Sequence, residues 1–276
     1  EPHAPHEARY LDRAPSMELS FSKWHGTGND FILVDDRSGL FPVDDLALVR
    51  RMCDRHFGIG SDGLVLIQAA RSPDTDFHME FFNPDSSQSF CGNGSRCAFA
   101  YWRTLVGDRD HARFSAIDGL HEAALDPAGV RVSLTGPKSV EHVNDDIDLI
   151  HTGSPHLLVW VGDPNAIDIV PGAHRYRYNE RFAKEGVNVN FLRWNNGRLE
   201  MRTYERGVEA ETLSCGTGVT AAAIDALHRG HASGPSVPVS TRGGDLRVDV
   251  EMENGSVSKV ELIGPAQFVF RGTCSI

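Results

Sequence analysis

Cys91-Gly-Asn-Gly-Ser-Arg-Cys-Ala-Phe-Ala-Tyr-Trp102 and Cys215-Gly-Thr-Gly-Val-Thr-Ala-Ala-Ala-Ile-Asp-Ala-Leu227 open in the same way. Each is Cys-Gly-x-Gly followed by a stretch that is apolar or small nearly all round. A helix with no polar face is buried on all sides. In a chain otherwise rich in strand patterns, each helix is expected to be enclosed by its own curved sheet. The two copies lie 215 − 91 = 124 residues apart, close to half the chain after Met17. That spacing marks a weak internal repeat and predicts two similar domains, each presenting a cysteine at a helix N-terminus.

Outward from these two stretches the pattern is mostly β. Strands are expected at Leu19–Trp24, Phe31–Asp35, Leu64–Gln68, Phe77–Phe82, Ala112–Ile117, Val130–Leu134, Leu157–Val161, Val187–Leu192, Leu199–Tyr204, Leu246–Val250, Val257–Ile263 and Phe268–Phe270, punctuated by Gly, Pro, Asn and Asp. Asn195-Asn196-Gly197 and Asn254-Gly255 read as hairpin turns. Helices are few: Val43–Asp54, Asn93–Leu105, a short one near 178–184, and Gly216–His228. Many strands with few helices indicate an α+β fold of mostly antiparallel sheet. The expected division is 17–136 and 137–264, with a last strand at 265–276 returning to the first domain. Residues 1–16 are proline-bearing and poor in apolar residues, and read as a disordered extension or an expression remnant.

The chain has 276 residues, 40% hydrophobic and 24% charged, values of an ordinary globular protein. Its net charge of −11 disfavours nonspecific binding to nucleic acid or anionic membranes. No apolar run approaches the ~18–20 residues of a membrane span. Five scattered cysteines without a CxxC pair do not form a disulfide framework or a zinc site. A reducing cytosol is the expected compartment, with each cysteine either a small core residue or a reactive thiol.

A helix N-terminus offers unpaired amides and the positive end of the helix dipole. Both stabilise a thiolate and are expected to lower a cysteine below its usual pKa of ~8.5. The same amides bind carboxylates. Two facing copies can place one sulfur on each side of a single carbon. Inversion by proton transfer needs that geometry: one thiolate removes a proton and the opposite thiol returns one. A single such cysteine is more often a buried core residue; the duplication of the whole unit favours chemistry. Gly58-Ile-Gly60-Ser-Asp-Gly63 matches a dinucleotide fingerprint but precedes a strand, so its context is wrong. There is no phosphate loop, no metal cluster and no lysine in a pyridoxal-phosphate context, so no cofactor is expected.

Further motifs carry a resemblance. They are Lys23-Trp-His-Gly-Thr-Gly-Asn-Asp-Phe31, Phe57-Gly-Ile-Gly-Ser-Asp62, Phe82-Asn83, Gly153-Ser-Pro-His156, Val187-Asn-Val-Asn-Phe191, Tyr204-Glu-Arg-Gly207 and Glu211-Thr-Leu-Ser-Cys215-Gly-Thr-Gly218. With the two Cys-Gly-x-Gly units they resemble the diaminopimelate epimerase family from about Met17 to the C-terminus. The resemblance implies the active site between two domains of like fold, and Cys91 and Cys215 as the acid/base pair. His156 and Glu205 match positions that assist the proton transfers. Asn29, Asn83, Asn188, Glu205, Arg206 and the amides of Gly92-Asn93 and Gly216-Thr217 match substrate-binding positions. The implied substrate is the small molecule diaminopimelate, and the implied protein is a cytoplasmic homodimer without a cofactor.

Three departures fall at Gly63, where the family often has Gln, at Ser154, where it often has Asn, and at Asp85-Ser86, where its usual turn is Asp-Gly. A proline or hydroxyproline epimerase of the same fold is the alternative among two-cysteine enzymes. Arg206 and the asparagines favour a substrate with two amino-acid ends. Phenazine-type isomerases of this fold lack the cysteine pair, and a noncatalytic amino-acid-binding protein has no need of two thiols.

Overall fold

The computed structural model describes residues 18–276. The reading of residues 1–16 lies outside the described residues. The first half contains β1 (Glu18–Gly26), β2 (Asn29–Asp36), α1 (Leu46–Cys53), β3 (Leu64–Gln68), β4 (Phe77–Phe82), α2 (Gly92–Val106), β5 (His111–Ala116), β6 (Gly119–Asp126) and β7 (Gly129–Leu134). The second contains β8 (Ser139–Asn144), β9 (Ile147–His151), β10 (Pro155–Trp160), α3 (Ile169–Arg177), β11 (Asn188–Asn195), β12 (Arg198–Glu205), β13 (Ala210–Thr212), α4 (Gly216–His228), β14 (Ser236–Thr241), β15 (Gly244–Glu253) and β16 (Ser256–Gly264). The last strand, β17 (Gln267–Ser275), pairs antiparallel with β1 along its length.

The repeat expected from the two Cys-Gly-x-Gly units extends to the topology. In the first half β2–β3 is parallel, β3–β4 antiparallel, β4–β5 parallel, and β5–β6–β7 antiparallel. In the second, β10–β11 is parallel, β11–β12 antiparallel, β12–β14 parallel, and β14–β15–β16 antiparallel. Each central helix follows the third strand of its series and is wrapped by the sheet it belongs to. Around α2 pack Phe31, Val65, Met79, Phe114 and Val132. Around α4 pack Leu158, Leu192, Met201, Val239 and Val248. Ten of the thirteen residues of α4 are buried, and its run of alanines lets the surrounding strands approach closely. The halves join where β7 pairs with β16, Val130–Leu134 against Val260–Gly264. This is a two-domain α+β fold of mostly antiparallel sheet.

Both expected hairpins are present. Asn196-Gly197 and Asn254-Gly255 are two-residue loops with φ of 49° and 78°, and of 51° and 79°, the left-handed pair that such tight turns require. The helix expected near 178–184 is a correction: those residues form turns, and the helix is α3, just before them. Pro171-Gly172 reads as a breaker, but Pro171 sits in the first turn, where an amide N–H has no helical partner to lose. Strands β6, β8, β9, β13 and β14 were not expected. β8 has no buried residue to alternate with. Pro238 argues against β14, yet the ladder to β12 begins only at Val239, so its missing N–H breaks no bond there.

Candidate active site

Cys91 and Cys215 occupy the same place in the two repeats. Each is the N-cap of its central helix, with extended backbone angles of φ −130°, ψ 109° and φ −118°, ψ 109°. Neither helix has an acidic residue in its first turn, so no side chain neutralises the positive ends. The Cys91 Sγ accepts from the Gly94 N–H at 3.3 Å. The Cys215 Sγ lies 3.5 Å from the Thr217 Oγ1. The amides of Gly92, Asn93, Gly216 and Thr217 are first-turn amides without helical acceptors, as the anion cradle requires.

The two helix starts meet. A Cβ added to Gly216 would lie 3.3 Å from the Asn93 Oδ1 and 3.4 Å from the Asn93 backbone nitrogen. The Asn93 Nδ2 donates to the Ser214 carbonyl at 3.3 Å, beside Cys215. Gly92 and Gly216 rest on the same side chain: added Cβ atoms would come within 3.0 Å and 3.1 Å of the Leu262 Cδ2. The Glu205 carboxylate acts electrostatically on both thiols, and Cys91 on Cys215. Cys91 and Cys215 are half-buried residues whose sulfurs lie deep among protein atoms, whereas Cys53 and Cys97 are buried throughout.

One electrostatic expectation is reversed. Burial pushes the Cys91 thiol up to about 11 and raises Cys215 as well, with the Glu205 charge adding to both. The Gly94 amide opposes this at Cys91, and the Thr217 hydroxyl at Cys215. Loss of hydration outweighs the helix end here, because a thiolate packed among protein atoms loses more from water than first-turn amides return. Both cysteines rest as thiols.

His156 is fully buried, and burial, with Arg206 and His151 nearby, lowers its pKa to about 3. It is a neutral imidazole. Its Nε2 lies 2.9 Å from the Thr217 Oγ1 and its Nδ1 3.3 Å from the Asn190 Nδ2. Burial raises the Glu205 carboxyl. The adjacent Arg206 makes no ion pair among the described residues. Its Nη1 donates to the Glu185 carbonyl at 2.8 Å, leaving guanidinium donors for a ligand. The loop carrying Arg206 is tied down by Glu209, whose carboxylate accepts from Arg177, Tyr178, Tyr204 and the Gly207 N–H.

The asparagines divide. Asn29 donates to Asp62 at 2.8 Å and accepts from the Asn93 Nδ2 at 3.2 Å, which places it beside the α2 start. The Asn93 Oδ1 is buried and unpaired among the described residues. Asn188 accepts from the Arg206 N–H at 3.0 Å and donates to the Ser154 Oγ and the Pro155 carbonyl, so it braces the strand ends that carry Arg206 and His156. Asn83 spends its amide hydrogens on Ser87 and Ser89, shaping the loop that leads to Cys91. At Gly63 an added Cβ would lie 2.4 Å from the Phe81 ring; Phe81 fills the space a longer side chain would need. Ser154, in place of an asparagine, is one of the two acceptors for Asn188.

Asn190 and Asp62 were not singled out from the sequence. Asn190 had a signal: strand residues two apart share a face, so 188 and 190 point the same way.

A family model for diaminopimelate epimerase matches residues 21–140 and 149–269. A diaminopimelate epimerase of Flavobacterium psychrophilum is 41% identical over 259 residues, covering 92% of this chain and all of that protein. One from Aquifex aeolicus is 38% identical, covering 93% and 98%. Among solved structures, a phenazine biosynthesis protein of Bacillus anthracis superposes with a TM-score of 0.71 at 13% identity, covering 94% of this chain and all of that one. A hydroxyproline epimerase from Agrobacterium vitis superposes with a TM-score of 0.69 at 16% identity, covering 94% and 93%. Those two share the fold; the sequence relatives and the matched model carry the family, and this chain belongs to the diaminopimelate epimerase family.

Proposed function

We propose that this protein is a diaminopimelate epimerase, interconverting LL- and meso-2,6-diaminopimelate in the supply of lysine and peptidoglycan precursors. The observation that carries the reading is the contact between the two Cys-capped helix starts over Leu262. In this reading Cys91 and Cys215 flank the α-carbon. One gives up its own proton first, with Glu205 as the assisting base, and then as thiolate removes the α-proton; the other, as thiol, returns one to the opposite face. The α-carboxylate sits on the amides of Gly92-Asn93 and Gly216-Thr217, which also receive the charge that develops as the proton leaves. Arg206 grips the distal carboxylate through its fork. Asn29 and Asn83 lie toward the polar ends of the substrate, and Asn188 holds Arg206 in place. His156 and Glu205 tune the sulfurs, His156 as a hydrogen-bond donor and Glu205 as a buried carboxyl.

The two thiols make both transfers, so no cofactor or metal is needed, and activity is expected to survive dialysis against EDTA. The reading divides the chain at 136/137, with 265–276 returning to the first domain, in keeping with the pairing of β17 and β1. Free thiols suit the reducing cytoplasm. A homodimer through β17 is part of the proposal: the strand pairs on one side only, and Phe268, Val269 and Phe270 are about half exposed. Sedimentation tests it.

The deciding experiment is proton NMR in deuterium oxide. Deuterium is expected to enter the α-position of LL- and meso-diaminopimelate as they interconvert. Exchange of proline or hydroxyproline, with none in diaminopimelate, overturns the reading.

A further inference from the structure

The polar atoms around His156 fix which of its nitrogens carries the proton. The Asn190 carboxamide is oriented by two neighbours. Its Nδ2 lies 3.2 Å from the Leu157 carbonyl, which can only accept. Its Oδ1 takes the Thr203 hydroxyl at 3.0 Å. The second Nδ2 hydrogen therefore points at the His156 Nδ1, 3.3 Å away, and that nitrogen must accept. A neutral imidazole with a bare Nδ1 carries its hydrogen on Nε2. The Nε2–H then donates to the Thr217 Oγ1 at 2.9 Å. With its lone pair so used, the Thr217 hydroxyl has its own hydrogen free for the Cys215 Sγ, 3.5 Å away.

The packing holds this chain of bonds. His156, Asn190 and Thr203 are buried, His156 and Asn190 without exposure. Gly218, the second glycine of the repeat, is needed for it: an added Cβ would lie 2.9 Å from the Asn190 Oδ1 and 3.1 Å from the His156 Nδ1. At Cys91 the sulfur takes a backbone amide, that of Gly94, and the equivalent Gly218 amide favours the Cys215 thiolate; the side-chain hydroxyl is an addition at Cys215.

We propose that Asn190 is a positioning residue that locks His156 in its Nε2–H form, so that the Thr217 hydroxyl is a committed donor to Cys215 and to no other thiol. Each sulfur thus has the first-turn amide of its repeat, Gly94 at Cys91 and Gly218 at Cys215, and Cys215 adds a hydroxyl oriented through His156 and Asn190. Other charges facing the site are Glu205 and Cys91 toward Cys215, and Arg206 and His151 toward His156; none of these four side chains hydrogen-bonds to Thr217.

The catalytic meaning rests on Cys215 being an acid/base group, but the test does not use turnover, so its failure and that of the epimerase reading are separable. Alkylation by iodoacetamide is followed at Cys91 and Cys215 by peptide mass spectrometry between pH 7 and 9.5. Removing one hydrogen bond to a charged sulfur in Thr217→Val is expected to slow Cys215 about tenfold at each pH and leave Cys91 unchanged. Thr217→Ser is expected to keep the wild-type rate. Asn190→Asp puts an acceptor opposite Nδ1, moves the hydrogen there, and turns the Thr217 hydroxyl toward Nε2; Cys215 is expected to slow as in Thr217→Val. Nitrogen-15 NMR of histidine-labelled wild type reads the tautomer directly, and does so even if Asn190→Asp fails to fold. A wild-type His156 protonated on Nδ1, an unchanged Cys215 in Thr217→Val, or equal slowing of Cys91 overturns the proposal.

Discussion

Gly216 stands directly against Asn93, its Cα placed so that a methyl group would press on the Asn93 Oδ1 and backbone nitrogen and on Leu262. The spacing of the two helix starts therefore depends on a missing side chain. Gly216→Ala forces one of these neighbours to give by a few tenths of an ångström. Since small displacements of reacting groups are costly, kcat/KM is expected to fall about 10–100-fold with little change in Tm. Gly162→Ala, where an added Cβ meets nothing within 4 Å, is the control. Equal activity of the two variants contradicts the contact's role.

The five cysteines separate into two groups. Cys91→Ala and Cys215→Ala are each expected to lose epimerisation by at least about 10³-fold, the scale of losing an acid/base group. Cys53, Cys97 and Cys274 to Ala should keep activity, with a stability cost of ~1 kcal/mol at the two buried positions. Either active-site variant should still eliminate halide from a β-halogenated analogue, which needs one base only. Mild peroxide should inactivate the wild type by joining the pair, and dithiothreitol should restore it. Near-wild-type turnover by both Cys91→Ala and Cys215→Ala removes the two-thiol assignment.

The raised thiols set a pH dependence for modification. Below its pKa a thiol's reactive fraction grows about tenfold per pH unit. With Cys91 at about 11 and Cys215 also raised, inactivation of the ligand-free protein by iodoacetamide should climb steadily from pH 7 to about 10. A plateau by about pH 9.5 indicates an ordinary thiol of pKa ~8.5, and one near pH 8 a lowered thiol.

Asp225 is a buried acid on α4, bonded to the Trp160 indole at 2.6 Å and packed near Asp148 and Arg229. Burial, with Asp148 adding to it, raises its pKa from 3.8 to about 7. Between those values the folded protein holds a proton that the unfolded chain has lost, so stability falls as pH rises through that window. Asp225→Asn keeps the indole bond and removes the titration. Its Tm is expected to exceed wild type by ~3–6 °C at pH 8, with the advantage shrinking toward pH 4. Thermal scans showing no pH-dependent gap overturn this.

Ser86 holds a φ of 71°, in the left-handed region that costs a residue with a Cβ ~1–2 kcal/mol. Its Oγ accepts from the Arg50 Nη1 at 2.7 Å, which offsets part of that. Ser86→Gly should raise stability by ~0.5–1 kcal/mol by urea unfolding, with unchanged kcat. Destabilisation would mean that the Arg50 bond outweighs the strain.

The repeat was legible because both helices lack a polar face and both begin with the same four-residue pattern. The hairpins at Asn196-Gly197 and Asn254-Gly255 were legible because their backbone demands those residue types. α3 was not, since Pro171 is tolerated in a first turn for reasons that depend on where the turn begins. The strand period puts Asn190 on the face of Asn188, but its approach to His156 follows from the parallel register of β10 and β11, which sets Asn188 opposite His156 and Asn190 opposite Leu158; no local pattern encodes that alignment. The direction of the thiol pKa shifts depended on depth, which residue order does not record.

The β7–β16 ladder has a mechanical consequence. It runs beneath both helix starts, with Leu134 and Leu262 on it, and backbone ladders resist stretching. A seam of backbone hydrogen bonds therefore underlies both helix starts, and the gap between them is gauged by the two halves' shared strand register and not by the side chains at the mouth of the site.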